Sequence, residues 1–370
     1  MDRTESDPGF FTGYIGTYTR PPLGSGKGIY AFRMNSKTGV IEDLRLAAQE
    51  LNPSWLCLSP GGKYLYAASE VDDVPVEGSG VVSAYCVNKD GSLGLINRKP
   101  TGGKAPCHLA LNGESGTGAE SSYIVTANYS SGSLTVFPLA KDGALGDPCQ
   151  RIRFSGRGPN PDRQEAPHAH SFMFDKKRAF GFALDLGTDR IMAYRFDPAA
   201  AEPLSPAEEP WYQSASGAGP RHGVFNADGT CAYSVNELDS TLDVLKYDPS
   251  RGCFERLQTL SCLPKGWKGD SACASVKIAP DGEFVYTSNR GHDSIAVFRI
   301  APGGMAEWIC AVPSGGRTPR DFGVAPDGNF VLAANQDSDN LAVFRVDKDS
   351  GFLKIEWEYP LQSPVCVVFS

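Results

Sequence analysis

The 370-residue chain lacks the sequence signatures of several protein classes. Its formal net charge is −8, so a broadly basic surface for nucleic acid is absent. No apolar run approaches the roughly 20 residues that span a bilayer. Residues 1–10 are rich in charge and have no apolar segment of the kind found in secretion signals. We therefore expect a cytoplasmic protein without a nucleic-acid or membrane partner, and the oligomeric state stays open.

Paired cysteine motifs are also missing. The chain has 10 cysteines, but no two of them are spaced as a CxxC motif. Many lie within apolar, strand-like runs, as Cys57 and Cys231 do. This pattern favours buried thiols in a reducing compartment over a disulfide framework.

Helical periodicity is absent over any useful length, whereas turn residues are abundant, with 41 Gly and 27 Pro. One pattern recurs at intervals of about 50 residues: a proline, a short apolar strand, a glycine turn, and three further strands. The clearest copies are residues 278–298 and 324–344. Asp-Gly turns between apolar runs predict β-hairpins, and the interval is typical of four-stranded propeller blades.

The last repeat is incomplete, because residues 364–369 supply only one strand. Residues 14–18, 29–32 and 39–45 supply the three missing strands, and joining the two ends closes a ring without free sheet edges. The sequence thus predicts an all-β, seven-bladed β-propeller of four-stranded antiparallel blades over residues 11–370, after a tail of residues 1–10. An open sandwich would make the split repeat a coincidence. The repeats begin near Pro53, Pro106, Pro167, Pro220, Ala272, Pro319 and Pro364.

Chemically active side chains fall at two positions of the repeat. In an antiparallel meander, the loop into the innermost strand and the corner between the second and third strands share one face, called the top face here. The first position carries His108, His168, His170, Arg221, His222 and Arg320, and the second carries Asn128, Glu237, Arg290, His292 and Asn335. A single His or Asn in such a loop is usually structural. Together, these residues predict a cationic funnel for a small anionic ligand in an acidic protein.

These segments resemble the lactonase family of seven-bladed propellers, which includes bacterial-type 6-phosphogluconolactonases and fungal 3-carboxy-cis,cis-muconate lactonizing enzymes. The resemblance runs from about Gly13 to Phe369. It is carried by Tyr14-Ile15-Gly16-Thr17-Tyr18-Thr19, Asn52-Pro53-Ser54-Trp55, Pro106-Cys107-His108, Asn128-Tyr129-Ser130, Pro167-His168-Ala169-His170-Ser171, Gly219-Pro220-Arg221-His222, Asn236-Glu237-Leu238, Ser288-Asn289-Arg290-Gly291-His292 and Asn335-Gln336-Asp337.

The resemblance implies catalytic roles for four residues, which are His170, Arg221, Glu237 and Arg290. It implies hydrolysis of 6-phospho-D-glucono-1,5-lactone to 6-phosphogluconate, a step of the pentose phosphate pathway. We expect His170 to activate water, Glu237 to orient an imidazole or shuttle a proton, and an arginine to stabilise the oxyanion. The expected substrate-binding residues are His108, Asn128, His168, His222, Arg320 and Asn335, with Arg320 as one candidate for the phosphate.

Three alternatives stay open. The same residues suit cycloisomerisation of a carboxymuconate, since both substrates are anionic. A non-catalytic, protein-binding propeller is a second alternative, although the repeating Trp-Asp and Gly-His pairs of WD40 blades are missing. A calcium-dependent lactonase is a third, with Glu70, Asp185, Asp189 and Glu237 as candidate ligands. Because the funnel looks cationic, we expect no metal and no cofactor.

Overall fold

The computed structural model describes residues 9–74, 76, 78–113 and 122–370, which form seven four-stranded antiparallel sheets. The predicted tail of residues 1–10 falls mostly outside this range. Blade 1 contains β1 (Phe10–Thr17), β2 (Ile29–Asn35), β3 (Ile41–Ala48) and, from the far end of the chain, β28 (Pro364–Phe369). Blade 2 contains β4 (Pro53–Leu58), β5 (Tyr64–Ser69), β6 (Val81–Val87) and β7 (Leu93–Pro100).

The remaining blades follow in chain order. Blade 3 contains β8 (Pro106–Leu111), β9 (Ser122–Asn128), β10 (Ser133–Leu139) and β11 (Gln150–Arg153). Blade 4 contains β12 (Ala169–Phe174), β13 (Phe180–Asp185), β14 (Arg190–Phe196) and β15 (Leu204–Gln213). Blade 5 contains β16 (Pro220–Phe225), β17 (Cys231–Asn236), β18 (Thr241–Asp248) and β19 (Cys253–Ser261). Blade 6 contains β20 (Ala272–Ile278), β21 (Phe284–Arg290), β22 (Ser294–Ile300) and β23 (Ala306–Pro313). Blade 7 contains β24 (Pro319–Val324), β25 (Phe330–Asn335), β26 (Asn340–Val346) and β27 (Leu353–Pro360).

Four short 3-10 turns are the only helical segments within the described residues. They span Pro60–Gly62, Leu186–Thr188, Pro302–Gly304 and Gln336–Ser338. None of the described residues forms a helix long and apolar enough to cross a membrane. All 10 cysteines are unpaired, and half of them are fully buried, as the sequence predicts. The all-β architecture is therefore confirmed.

The two ends of the chain close the ring in blade 1. Strand β28 pairs antiparallel with β1, placing Tyr14 opposite Val368 and Ile15 opposite Val367. Each innermost strand also contacts the innermost strand of the next blade, and β28 contacts both β24 and β4. The predicted split blade and seven-bladed closure are confirmed. One boundary differs, because β12 begins at Ala169 rather than near Pro167, and Ala169 pairs with Asp185 as Pro220 pairs with Asn236.

The hydrophobic core is divided into seven clusters, each lying between two adjacent blades. Between blades 6 and 7, for example, Tyr286 packs with Phe322 and Phe344, and all three are fully buried. Burying each such side chain contributes about 1.5–3 kcal/mol. A blade therefore depends on its neighbours for its core, which fixes the top-face loops relative to one another.

Three aspartates on the top face each bind one blade to the next. Asp189, Asp293 and Asp339 lie in the turns between second and third strands, and their Oδ1 atoms accept backbone N–H groups just before the next innermost strand. The three donors are Gly219, Thr318 and Ser363, each at 2.8 Å. These donor residues have φ angles of 67°, 58° and 47°, so the chain enters these three innermost strands through a residue in the left-handed conformation.

Candidate active site

A β-bulge at the top of the innermost strand turns one side chain towards the central channel in six of the seven blades. In blade 5, Pro220 pairs with Asn236 and His222 with Val235, which leaves Arg221 as the extra residue. A bulged residue is released from the pairing pattern, so its side chain can point away from the sheet faces. The equivalent extra residues in the other single-residue bulges are Ser54, Cys107, His170, Arg320 and Val365.

All six of these side chains line one small space, together with Trp55 and His222. Six different blades therefore contribute the same structural position to one small site. Blade 6 differs, because its register shift between Cys273 and Val276 skips two residues, Ala274 and Ser275. The repeated bulge explains why His170 reaches the centre of the ring whereas His168, two residues earlier, stays on the rim.

Glu237 is the centre of an arginine cluster. It follows β17, and its backbone N–H donates to the Gly219 carbonyl at 2.7 Å. Its Oε2 accepts from Arg221 and from Arg290, both at 2.8 Å, while Oε1 accepts from Arg163 at 2.5 Å. The Glu237 side chain is only 4% exposed. Three arginines on one buried carboxylate leave this cluster with an excess of positive charge.

The pKa shifts in the cluster follow from these contacts. Burial alone would raise the pKa of Glu237, but Arg290 and Arg221 hold it well below its usual value. Burial, together with repulsion from Arg290, lowers the pKa of Arg221 to about 10. Both groups are therefore charged at neutral pH, and Glu237 is a weak base.

A second ion pair lies on the other side of the channel. Arg320 of blade 7 donates to Glu70 Oε2 at 3.0 Å, and the Tyr18 hydroxyl donates to the same oxygen at 2.8 Å. The Arg320 guanidinium also lies 5.0 Å from the centroid of the Tyr18 ring, at cation–π distance. Here the cationic charge of Arg320 is balanced within the pair.

His170 is buried beside the arginine cluster, with 5% of its surface exposed. Burial, followed by the charge of Arg221, holds the pKa of His170 well below its usual value, so the ring is neutral at pH 7. Its Nδ1 lies 3.8 Å from Cys107 Sγ, and the Cys107 thiol donates to the His170 carbonyl at 3.2 Å. Its Nε2 has no hydrogen-bond partner among the residues that the structure describes.

His108 and His222 pack against Trp55 next to His170. The His108 ring stacks on Trp55 with centroids 4.2 Å apart, and the His222 ring lies 5.1 Å from that of His170. Burial and the charge of Lys277 lower the pKa of His108 to about 3. Burial and Arg221 also lower the pKa of His222. The structure thus brings three neutral imidazoles to one wall of the site.

His168 lies at the rim. Its ring stacks on Tyr129 at 4.5 Å, and its Nε2 is 3.1 Å from Glu165 Oε1. His292 is separate from the other histidines, since its ring contacts Trp267 at 4.5 Å and its Nδ1 lies 2.7 Å from Ser294 Oγ. Four of the five histidines therefore share the site region, and the fifth belongs to a corner of blade 6.

Two predicted substrate-binding asparagines are placed differently. Asn128 and Asn335 are fully buried at the ends of β9 and β25. The Asn128 amide donates to Ser133 Oγ and Thr135 Oγ1, both at 3.2 Å, and that of Asn335 to the Ser314 carbonyl at 3.0 Å. The Asn128 amide holds a strand corner within blade 3, whereas the Asn335 amide holds the connection from blade 6 to blade 7. The structure does not bring either amide to the bulge residues.

The acidic candidates for a calcium site are occupied by protein donors. Asp185 accepts from the His168 backbone N–H at 2.6 Å and from Thr188 Oγ1 at 2.5 Å. Asp189 accepts from Gly219 and Gln164, while Glu70 and Glu237 each bind arginine. Within the described ranges, no three metal-ligating side chains cluster. The expectation of a metal-free site stays a prediction.

Arg163, Tyr18 and Tyr129 were not predicted as site residues from the sequence, and Glu70 was expected only as a possible metal ligand. Arg163 belongs to the connection between β11 and β12, residues 154–168, which is longer than the equivalent connections between the other blades. A residue in such a connection lies outside the repeat pattern and gives no signal in it. Only the fold brings it to Glu237, which lies 74 residues further along the chain.

Comparisons with known proteins identify the family of this chain. The family model described as lactonase, 7-bladed beta-propeller, matches residues 12–369. A 6-phosphogluconolactonase of Bacillus subtilis is 33% identical over 314 residues, covering 84% of each chain. A 6-phosphogluconolactonase of Formosa agariphila is 33% identical over 316 residues, covering 84% of this chain and 85% of that one.

A solved structure extends the comparison to three dimensions. The periplasmic gluconolactonase PpgL of Pseudomonas aeruginosa superposes with a TM-score of 0.89 at 29% identity, covering 97% of this chain and 99% of that one. The hypothesis of a non-catalytic, protein-binding propeller is therefore set aside. The chain belongs to the lactonase family of seven-bladed β-propellers, and it is a lactonase.

Proposed function

We propose that this lactonase hydrolyses 6-phospho-D-glucono-1,5-lactone, with His170 as general base and Arg290 as the donor to the oxyanion. One observation carries the proposal: a buried, neutral imidazole with an unpaired Nε2 lies beside an arginine cluster with excess positive charge. The names of the Bacillus and Formosa relatives support the choice of substrate. The pentose phosphate role and the cytoplasmic location stay predictions.

The contacts of His170 suit a base at Nε2. The Cys107 thiol donates a hydrogen bond to the His170 backbone carbonyl, so the sulfur lone pairs remain available to the His170 Nδ1–H group. A proton on Nδ1 leaves Nε2 free to accept one. Nε2 takes a proton from water as the water oxygen bonds to the lactone carbonyl carbon. The ring C–O bond then breaks, and the imidazolium returns the proton to the leaving oxygen.

Arg290 is the better placed of the two candidate oxyanion donors. Arg221 is 1% exposed and binds Glu237, His222 and the Ala274 carbonyl. Arg290 is 19% exposed, and its buried Nε has no hydrogen-bond partner within the described chain. A buried donor without a partner is costly in the resting protein. It becomes favourable when negative charge develops beside it in the transition state.

Glu237 orders the arginines rather than moving a proton. Both of its oxygens accept from guanidinium groups, and its pKa lies well below the usual value, chiefly because Arg290 and Arg221 outweigh burial. A carboxylate with such a lowered pKa is difficult to protonate. The contacts therefore favour a positioning role for Glu237 over the proton shuttle that the sequence suggested.

The test compares His170→Gln with a matched control, His292→Gln, on the same face. Hydrolysis of freshly generated 6-phosphogluconolactone is followed by coupled oxidation of 6-phosphogluconate, after subtraction of the spontaneous rate. Loss of a general base lowers kcat by about 10²–10⁴-fold. We expect that loss in His170→Gln with little change in KM, and a normal rate in His292→Gln.

Full activity of His170→Gln would remove this residue from the mechanism. The wild-type protein could also fail to accelerate lactone hydrolysis but convert a carboxymuconate to its lactone. That result would make cycloisomerisation, and not hydrolysis, the function. The same enzyme preparation serves both assays, so inactivity through misfolding shows as failure in both.

A further inference from the structure

Arg163 differs from the other arginines of the site in its exposure. Its side chain is 41% exposed, compared with 1% for Arg221, 19% for Arg290 and 13% for Arg320. It projects from the β11–β12 loop of blades 3 and 4 and contacts Tyr129 in blade 3 and Glu237 in blade 5. Of these four cations, it is the one that a solute approaching the top face meets most readily.

The guanidinium of Arg163 has donors to spare. Only its Nη2 is used, donating to Glu237 Oε1 at 2.5 Å and to the Tyr129 hydroxyl at 3.3 Å. Its Nη1 and Nε make no hydrogen bond to any described residue. Glu237 meanwhile keeps Arg221 and Arg290 on its other oxygen. Arg163 can therefore bind an incoming anion through two N–H groups while the buried carboxylate remains neutralised.

The loop that carries Arg163 is held in place by the next residue. Gln164 is fully buried, and its amide donates to Asp189 Oδ1 at 2.7 Å and to the Leu186 carbonyl at 2.8 Å. The Asn160 side chain accepts the Arg163 backbone N–H at 3.2 Å. An arginine that is already held in place loses less conformational freedom when it binds an anion, so its affinity for the anion is higher. This anchoring is what a binding residue needs and a loosely placed surface arginine lacks.

Charge and position identify the ligand group. The cluster of three arginines and one carboxylate retains two uncompensated positive charges. A phosphate monoester carries about −1.5 to −2 charges at pH 7 and has three acceptor oxygens. Tyr129 lies between Arg163 and the base, since its hydroxyl meets Arg163 and its ring lies 5.4 Å from that of His170. The anion is therefore bound at a distance from the reacting carbonyl.

We propose that Arg163 binds the phosphate of the substrate through a bidentate contact and so sets the preference for phosphorylated over neutral sugar lactones. The inference rests on the proposed function, because it assigns one substrate group of that reaction. Arg163 makes no contact with the base, so its contribution lies in substrate binding rather than in the chemical step. This assignment replaces Arg320, whose charge is already paired with Glu70.

The experiment measures two substrates with three variants. Arg163→Gln removes the charge, Arg163→Lys keeps the charge without the planar fork, and Arg157→Gln is the matched control on an exposed position of the same loop. Loss of a charge-assisted pair costs about 10- to 100-fold in binding. We expect this rise in KM for 6-phosphogluconolactone in Arg163→Gln, a smaller rise in Arg163→Lys, and wild-type values in Arg157→Gln. In Arg163→Gln, kcat/KM falls by a larger factor for 6-phosphogluconolactone than for unphosphorylated glucono-1,5-lactone.

Equal losses on both substrates would overturn the inference, because Arg163 would then act through Glu237 on the chemistry. Unchanged kinetics in Arg163→Gln would overturn it as well. If the wild type hydrolyses neither lactone, the proposed function fails, and calorimetric titration with 6-phosphogluconate and gluconate decides the inference separately. Tighter binding of the phosphorylated acid that disappears in Arg163→Gln supports it, and equal binding of both acids contradicts it.

Discussion

Arg221 and Glu237 form an ion pair 2.8 Å long in which the side chains are only 1% and 4% exposed. Arg221 enters from a bulge in β16, and Glu237 follows the neighbouring strand of the same blade. The pair is therefore built by one hairpin at the mouth of the channel. Arg290 of blade 6 and Arg163 of the blade 4 loop then join it from either side.

The first prediction concerns the contribution of the buried Glu237 carboxylate to stability. Glu237→Gln leaves three arginines without their counter-charge, and breaking a buried ion pair in this way costs about 3–5 kcal/mol. We expect a fall of that size in the free energy of unfolding, measured by chemical denaturation. Glu255→Gln, on an exposed position of β19, serves as the control and should change stability by less than about 0.5 kcal/mol. Equal stability of both variants would show that the cluster is not the electrostatic centre described here.

The second prediction concerns pH. Burial lowers the pKa of His108, His170 and His222 in the folded protein, so the unfolded chain binds more protons below about pH 6.5. Stability is then full above the unfolded pKa and falls as the pH drops, by roughly 1.4 kcal/mol per pH unit for each fully titrating histidine. The exposed Asp239, whose pKa is raised to about 6 by partial desolvation, opposes this trend in part.

The measurement is denaturant unfolding between pH 5 and 7.5. We expect the free energy of unfolding to decline towards acid pH, and His222→Asn to reduce the slope whatever its effect on absolute stability. A flat profile in the wild type, or an unchanged slope in the variant, would mean that these imidazoles are not buried in neutral form.

The third prediction concerns the left-handed turns before the innermost strands. Ala105 has a φ of 51°, a conformation that costs an L-residue about 1–2 kcal/mol and glycine very little. After the entropy cost of glycine, Ala105→Gly should raise the free energy of unfolding by roughly 0.5–1 kcal/mol. Ala110→Gly, within β8, should lower it by a similar amount. Chemical denaturation of both variants under the same conditions measures these changes in the free energy of unfolding. Destabilisation by Ala105→Gly would contradict a strained turn at this position.

Much of the fold was predictable because its determinants are local and repeated. Asp-Gly turns, alternating apolar runs and the split repeat define four-stranded blades before any contact is known. The top face follows from strand direction alone, and so does the convergence of His170, Arg221, Glu237 and Arg290. Single residues were less predictable. Asn128 and Asn335 occupy the same repeat position as Asn236, yet the sequence does not reveal that the Asn128 amide holds a corner of its own blade and the Asn335 amide holds the connection from blade 6.

The sequence by itself determined the architecture, the closure of the ring and the family, since these depend on periodicity and on motifs that can be compared along the chain. Tertiary structure decided the site. The extra residue in each bulge depends on strand register, which shows that His170 and not His168 reaches the channel. Arg163, which binds Glu237 Oε1, comes from the long connection between blades 3 and 4. Such contacts join residues distant in the chain, and only the packing of seven blades around one axis brings them within hydrogen-bonding distance.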